Sequence, residues 1–192
     1  MHAGIDYGSK LAGTTAICWA ENHKIRFGQS QKKKDADQFI QDWAAGHSPK
    51  HIYIDAPLSL PGVYTSIAGC SDYFYRAADK ALNAMSPMFL GGLTARAMRM
   101  KQQLQDNGIE VWEAYPGGLA RQLPLDAGRY KKDNAYLPAA SLVLAELTGL
   151  EMPEPPKNWH QFDAGLAFLI GQRRLNGTAE PFGQEAEGFI WV

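Results

Sequence analysis

Asp6 ends a short strand-like run and opens Asp6-Tyr7-Gly8-Ser9-Lys10-Leu11-Ala12-Gly13, a DxGxxxxG pattern. Its glycines allow a tight turn between two strands, which leaves the carboxylate at the open end of a sheet. Asp55 ends a second run, His51-Ile52-Tyr53-Ile54-Asp55, directly before Ala56-Pro57. Ligands of open α/β sheets collect at the carboxyl ends of strands, so two strand-terminal aspartates are candidates for one site. Period-2 alternation sets Asp55 on the face of Tyr53, opposite Ile52 and Ile54. Glu113, two residues before Tyr115, is expected to project towards the same end. Asp163 lies near the start of the last long helix, and His160 shares its face three residues earlier.

Carboxylates from separate elements with one histidine suit a hard divalent cation: Mg²⁺ or Mn²⁺, with His160 favouring Mn²⁺. The expected metal ligands are Asp6, Asp55, Asp163 and His160, and the expected catalytic set is Asp6, Asp55, Glu113 and Asp163. Without a metal or a shared proton such groups repel, so their convergence argues for a ligand. Two metals there would activate a water and stabilise the leaving oxygen in phosphodiester cleavage. Each residue also has an ordinary reading: a turn aspartate, a surface glutamate, a helix N-terminal charge with a neighbouring histidine. It is their joint placement that favours a site.

The elements that would position these groups follow an α/β pattern. Three strands open the chain, ending at Asp6, then through 14–19, then through 24–27, with Glu21-Asn22-His23 as a tight antiparallel turn because Asn tolerates left-handed backbone. Phe39, Ile40 and Trp43 recur at helical spacing and predict a crossover helix before the strand at 51–55. Residues 58–108 read as a helical insertion, with helices near 71–84 and 94–107. A fifth strand covers 110–115, a basic segment 121–132 follows, and two helices cover 137–147 and 160–174. The closing Gly188-Phe189-Ile190-Trp191-Val192 is either an edge strand or an apolar cap. The expectation is a single domain over 1–192 with a mixed five-stranded sheet, an antiparallel meander followed by parallel strands, flanked by helices.

Composition narrows the function. With 19 Lys and Arg against 20 Asp and Glu, the chain has no global basic field, so a polyanion has to meet a local patch. The two cysteines form no CxxC pair and are too few for a disulfide scaffold, which points to a reducing, cytoplasmic setting, with Cys18 in the core. The N-terminus lacks a basic region and apolar run of the secretory kind, and no apolar run is long enough to cross a bilayer.

Two similar segments, GGLTAR from Gly91 to Arg96 and GGLAR from Gly117 to Arg121, place a glycine pair before a possible helical turn. Backbone N–H groups there, with Arg96 as a bidentate donor, would bind phosphate; the alternative is an ordinary loop-to-helix junction. Arg76 and Asp79, three apart on a helix, are either an ion pair bracing the insertion or a substrate clamp. Lys131, with Arg129 and Lys132, would form a phosphate-facing wall or a solvated charge run. Tyr7, Tyr73, Phe74 and Tyr115 would stack on bases or belong to the core rim. Met85, Met88, Met98 and Met100 would give the insertion an adaptable surface or fill it.

Gly4-Ile5-Asp6-Tyr7-Gly8-Ser9 with Gly13 resembles the opening of Holliday-junction resolvases and other ribonuclease H-like nucleases, and His160-Gln161-Phe162-Asp163-Ala164 resembles their closing carboxylate helix. Over nearly the whole chain the sequence is similar to the predicted nucleases of domain-of-unknown-function family 429. The matching segments are Ile54-Asp55-Ala56-Pro57-Leu58, Arg76 and Asp79 in Tyr75-Arg76-Ala77-Ala78-Asp79, Glu113-Ala114-Tyr115-Pro116, Asp163-Ala164 and Glu187-Gly188-Phe189-Ile190-Trp191. The resemblance implies a ribonuclease H-like fold and, by analogy, metal-dependent phosphodiester hydrolysis, although fold alone does not fix function. Well-understood relatives often carry Glu where this chain has the shorter Asp55.

The function expected from these features is a divalent-metal-dependent nuclease or nucleotide phosphodiesterase, with nucleic acid or a nucleotide as partner. The alternatives are a non-catalytic nucleotide- or partner-binding module of the same fold and an ATP-dependent phosphotransferase. The last needs two lobes, and the chain has a single DxG opening.

Overall fold

The computed structural model describes residues 1–192. Strands β1 (His2–Asp6), β2 (Ala16–Glu21) and β3 (Lys24–Gln29) form the expected antiparallel meander. Asn22 and His23 both take positive φ, 49° and 64°, which gives the two-residue hairpin a twist matching its strands. Helix α1 (Ala36–His47) crosses over to β4 (His51–Asp55), which lies parallel to β1. The Asp35 carboxylate caps α1 by accepting from the Asp37 and Gln38 N–H groups at 2.9 and 3.4 Å.

The segment after β4 departs from the expected pair of helices. The Asp72 carboxylate accepts from the N–H groups of Phe74 and Tyr75, and that local turn delays the first helix, α2, to Ala77–Leu82. A single turn, α3 (Pro87–Leu90), precedes α4 (Gly92–Asp106), whose Ala97, Met100 and Leu104 pack on the sheet. So α4 belongs to the outer layer of the sheet, and the irregular part of the insertion ends before it. β5 (Glu110–Ala114) pairs parallel with β4. Short α5 (Pro116–Ala120), then α6 (Leu137–Thr148) and α7 (Trp159–Leu175) complete the helices.

The sheet has seven strands rather than five, in the order β3-β2-β1-β4-β5-β7-β6. β7 (Gly188–Trp191) pairs parallel with β5, and β6 (Pro181–Gln184) closes the edge beyond it. The final apolar segment is therefore an interior strand. Pro181 and Gly183 hide β6 from a propensity reading, since proline in a sheet is confined to edges and strand starts.

Side chains sort by strand parity into two layers. Ala3, Ile5, Ile52, Ile54 and Val111 face α1 and α4, whereas Tyr53 and Ala114 face α7 and its neighbours α5 and α6. α7 is buried from Gln161 to Gly171. Its approach to the sheet depends on glycine: a Cβ on Gly4 would lie 2.0 Å from the Phe168 nitrogen, and one on Gly171 would lie 2.4 Å from the Tyr53 ring. This contact lays the first turns of α7 over the carboxyl end of β1. No helix is long and apolar enough to cross a membrane.

Candidate metal centre

Asp6 and Asp55 are Cα partners at the last rung of the parallel β1–β4 ladder, so both carboxylates leave the sheet side by side on the α7 face. Asp163, one turn into α7, descends onto them. One oxygen from each of the three lies within 4.8 Å of the others. Asn158 fixes the start of α7 by accepting from Gln161 N–H, while its amide donates to Gln29 of β3 at 2.8 Å. His160 Nδ1 lies 2.7 Å from Asp6 Oδ2 and its ring is exposed.

The electrostatics are those of crowded acids. Burial, then the charges of Asp6 and Asp163, hold the Asp55 carboxyl well above the usual carboxylate range. Burial also pushes Asp163 up to about 6, against the opposing pull of Lys131. Asp163 is answered by two donors from the basic segment: Tyr130 OH at 2.5 Å on Oδ1 and the Lys131 ammonium on Oδ2. The bond to Asp6 raises His160 above its ordinary value despite partial burial. Asp55 takes no hydrogen bond from the protein, so its oxygens stay open to a ligand.

Three anionic oxygens converging from three elements are the donor set that hard, oxygen-seeking divalent cations require. Asp6, Asp55 and Asp163 would hold the ion, with His160 touching the set through Asp6.

Glu113 does not join the cluster. Its Cα pairs with Ile54, so it shares the Ile54 face and points away from Asp55. There it accepts from Leu58 N–H at 2.8 Å and from both terminal nitrogens of Arg76 at 2.7 Å. Arg76 is fully buried, and its remaining donors go to Ser59 and to both oxygens of Asp79. All five guanidinium N–H groups are thereby spent on the protein, which leaves Arg76 as a brace between α2 and β5 with nothing to offer a phosphate.

Arg96 is likewise engaged. It forms a fork on buried Asp37 of α1, with contacts of 2.6 and 3.2 Å, donates to the Gly8 carbonyl, and lies over the Tyr7 ring. Asp37 was invisible to the sequence reading because its partner is 59 positions away. Of the expected basic groups, Lys131 alone reaches the carboxylates. Tyr130, which no motif signalled, does so beside it. Among the aromatics, Tyr7 is buried, Tyr115 is half-buried, and Tyr73 and Phe74 are exposed.

Two cavities flank Asp55. One of about 420 Å³ is lined by Tyr115, Arg121, Tyr130, Lys131 and Lys132. The other, about 230 Å³, is lined by Asp6, Met85, Leu90, Leu93 and Tyr115 above Glu113. A larger groove of about 850 Å³ between α1 and α4, around Ser48 and Asn107, lies at the opposite end of the strands.

Among solved structures, RuvC of T. thermophilus in complex with a Holliday junction substrate aligns with a TM-score of 0.50 and 17% identity, over 94% of this chain and 98% of its own. The fold is ribonuclease H-like. A second Thermus thermophilus RuvC structure aligns at a TM-score of 0.48 and 17% identity, over 94% of this chain and 99% of that one. No family model and no curated protein matches the chain. The likeness to domain-of-unknown-function family 429 is therefore not shown by a family model.

Proposed function

We propose that this chain is a divalent-metal-dependent nuclease that hydrolyses phosphodiester bonds, with Asp6, Asp55 and Asp163 as ligands of Mg²⁺ or Mn²⁺. The observation that carries the reading is the convergence of three carboxylate oxygens within 4.8 Å at one end of the sheet. Bound there, a divalent cation supplies an activated water and neutralises charge on the leaving oxygen. Asp55 and Asp163 are both held above the ordinary carboxylate range, and each would have to be ionised to hold the cation. His160 orients the Asp6 carboxylate. Lys131, Lys132 and Arg121 line the adjoining cavity and attract the phosphates of the strand. Glu113 acts at one remove, by anchoring Arg76 and the insertion beside the site.

A ribonuclease H-like protein seen with a branched DNA substrate supports nucleic acid as the substrate class. The remaining sequence expectations, one domain over 1–192 and a cytoplasmic setting, are part of this proposal. The test is cleavage of labelled single-stranded and branched DNA and RNA with Mg²⁺ or Mn²⁺, by the wild type and Asp55→Asn. Metal-dependent cleavage lost in the variant supports the reading; no cleavage of any strand by the wild type contradicts it.

A further inference from the structure

The two cavities beside Asp55 differ in chemistry. Both contain Asp55 and Tyr115, so they open on either side of the same carboxylate. The larger one is basic. The smaller one is apolar along Met85, Leu90 and Leu93, with Ala56, Pro57 and Ile190 completing the wall. Its floor is the Arg76–Asp79–Glu113 triad, in which one guanidinium faces two carboxylates and a net charge of −1 remains. Asp6 and Asp55 form its rim.

A phosphate would meet acid on two sides of the smaller chamber and find no free cation, because every Arg76 N–H is already bonded. An uncharged flat group with N–H donors at its edge meets apolar walls and carboxylate acceptors. At about 230 Å³ the chamber is smaller than the roughly 300–1,000 Å³ of pockets for drug-sized ligands, which suits one ring system rather than a length of chain. We propose that this chamber is a specificity pocket that receives one unpaired nucleobase next to the bond being cut, while the phosphates run along the Lys131 side. The inference rests on the nuclease reading and sharpens it. A base seated there has left the helical stack, so the preferred substrate is single-stranded or opened at that nucleotide.

The insertion supplies the lid residues. Met85 is exposed at the mouth, and Leu93 enters from the first turn of α4. Neither is a metal ligand, and Mn²⁺ binding by each enlarged variant shows whether Asp6, Asp55 and Asp163 are left in place.

The experiment uses a labelled single-stranded oligonucleotide with an abasic residue placed at each position in turn, cut in Mn²⁺ by the wild type, Leu93→Trp and Met85→Trp. The expected result is that one abasic position lowers wild-type cleavage on the order of tenfold, the scale of one lost base contact. The two Trp variants cut the intact strand at that same reduced rate and bind Mn²⁺ like the wild type. Met85→Trp, at an exposed position, keeps the test valid if Leu93→Trp misfolds. Wild-type cleavage indifferent to every abasic position, with Met85→Trp fully active, overturns the pocket and leaves the nuclease standing. If the wild type cuts no strand, the nuclease reading fails, and the pocket is judged by binding alone. A fluorescent purine analogue in the strand must then change emission on the wild type and not on Met85→Trp, or the pocket falls too.

Discussion

Asp6 and Asp55 are Cα partners on adjacent parallel strands, and their carboxylates face the same helix, α7, which adds Asp163. In a folded chain without metal this places three acids where each disfavours the charge of the others. Asp55→Asn removes one of them. The metal-free variant is expected to melt higher than the wild type at neutral pH, by roughly 1 kcal/mol, while losing Mn²⁺ affinity at least about tenfold. Paired melts and calorimetry check both, and a variant that is less stable and still binds Mn²⁺ contradicts the placement.

The pH dependence follows from Asp163. Its folded-state value is about 6 against an ordinary 3.8, so between those values the folded protein binds more protons than the unfolded chain. Stability from this group is therefore greatest in acid and falls as pH rises through the interval, by on the order of 3 kcal/mol. The metal-free wild type should lose stability relative to Asp163→Asn as pH rises from about 4 to about 7. Mn²⁺ should raise the melting temperature near pH 7 and have little effect near pH 4. Melts of both proteins over this range, with and without metal, measure it.

Lys131 lies against Asp163 as an internal cation. Lys131→Met should tighten Mn²⁺ binding, roughly threefold to tenfold, because a competing positive charge is gone. The same change should weaken single-strand binding and reduce its salt dependence. Calorimetry and binding titrations at two salt concentrations separate the two effects.

Arg76→Met leaves Asp79 and Glu113 buried without their partner and should cost about 3–5 kcal/mol in denaturant melts. Glu113→Gln keeps a neutral acceptor and should cost less. If Glu113 were a metal ligand, Glu113→Gln would weaken Mn²⁺ binding as strongly as Asp55→Asn; the expected change is less than about threefold, because its Cα pairs with Ile54 and its oxygens face Arg76.

Much of this site was legible in the sequence because its carboxylates occupy positions with local signatures. Asp6 stands at a strand end before glycines, Asp55 before a proline, and alternation alone put Asp55 on the Tyr53 face, where α7 lies. Glu113 misled because the face it shares depends on register with β4, a non-local property that no motif encodes. Arg96 misled for the same kind of reason: its partner Asp37 is on a different helix. Tyr130 sits in an irregular segment with no periodicity to place it. The strand count fell short because β6 carries Pro181 and Gly183 and gains its pairing only once β7 is in the sheet.

The central claim is that Asp6, Asp55 and Asp163 form one metal site. Calorimetric titration of Mn²⁺ into the wild type, Asp55→Asn and Glu113→Gln tests it most directly, with melts confirming that all three are folded. The account predicts saturable binding to the wild type and Glu113→Gln, and binding at least about tenfold weaker to Asp55→Asn. Equal binding to all three, or binding lost only in Glu113→Gln, would contradict it.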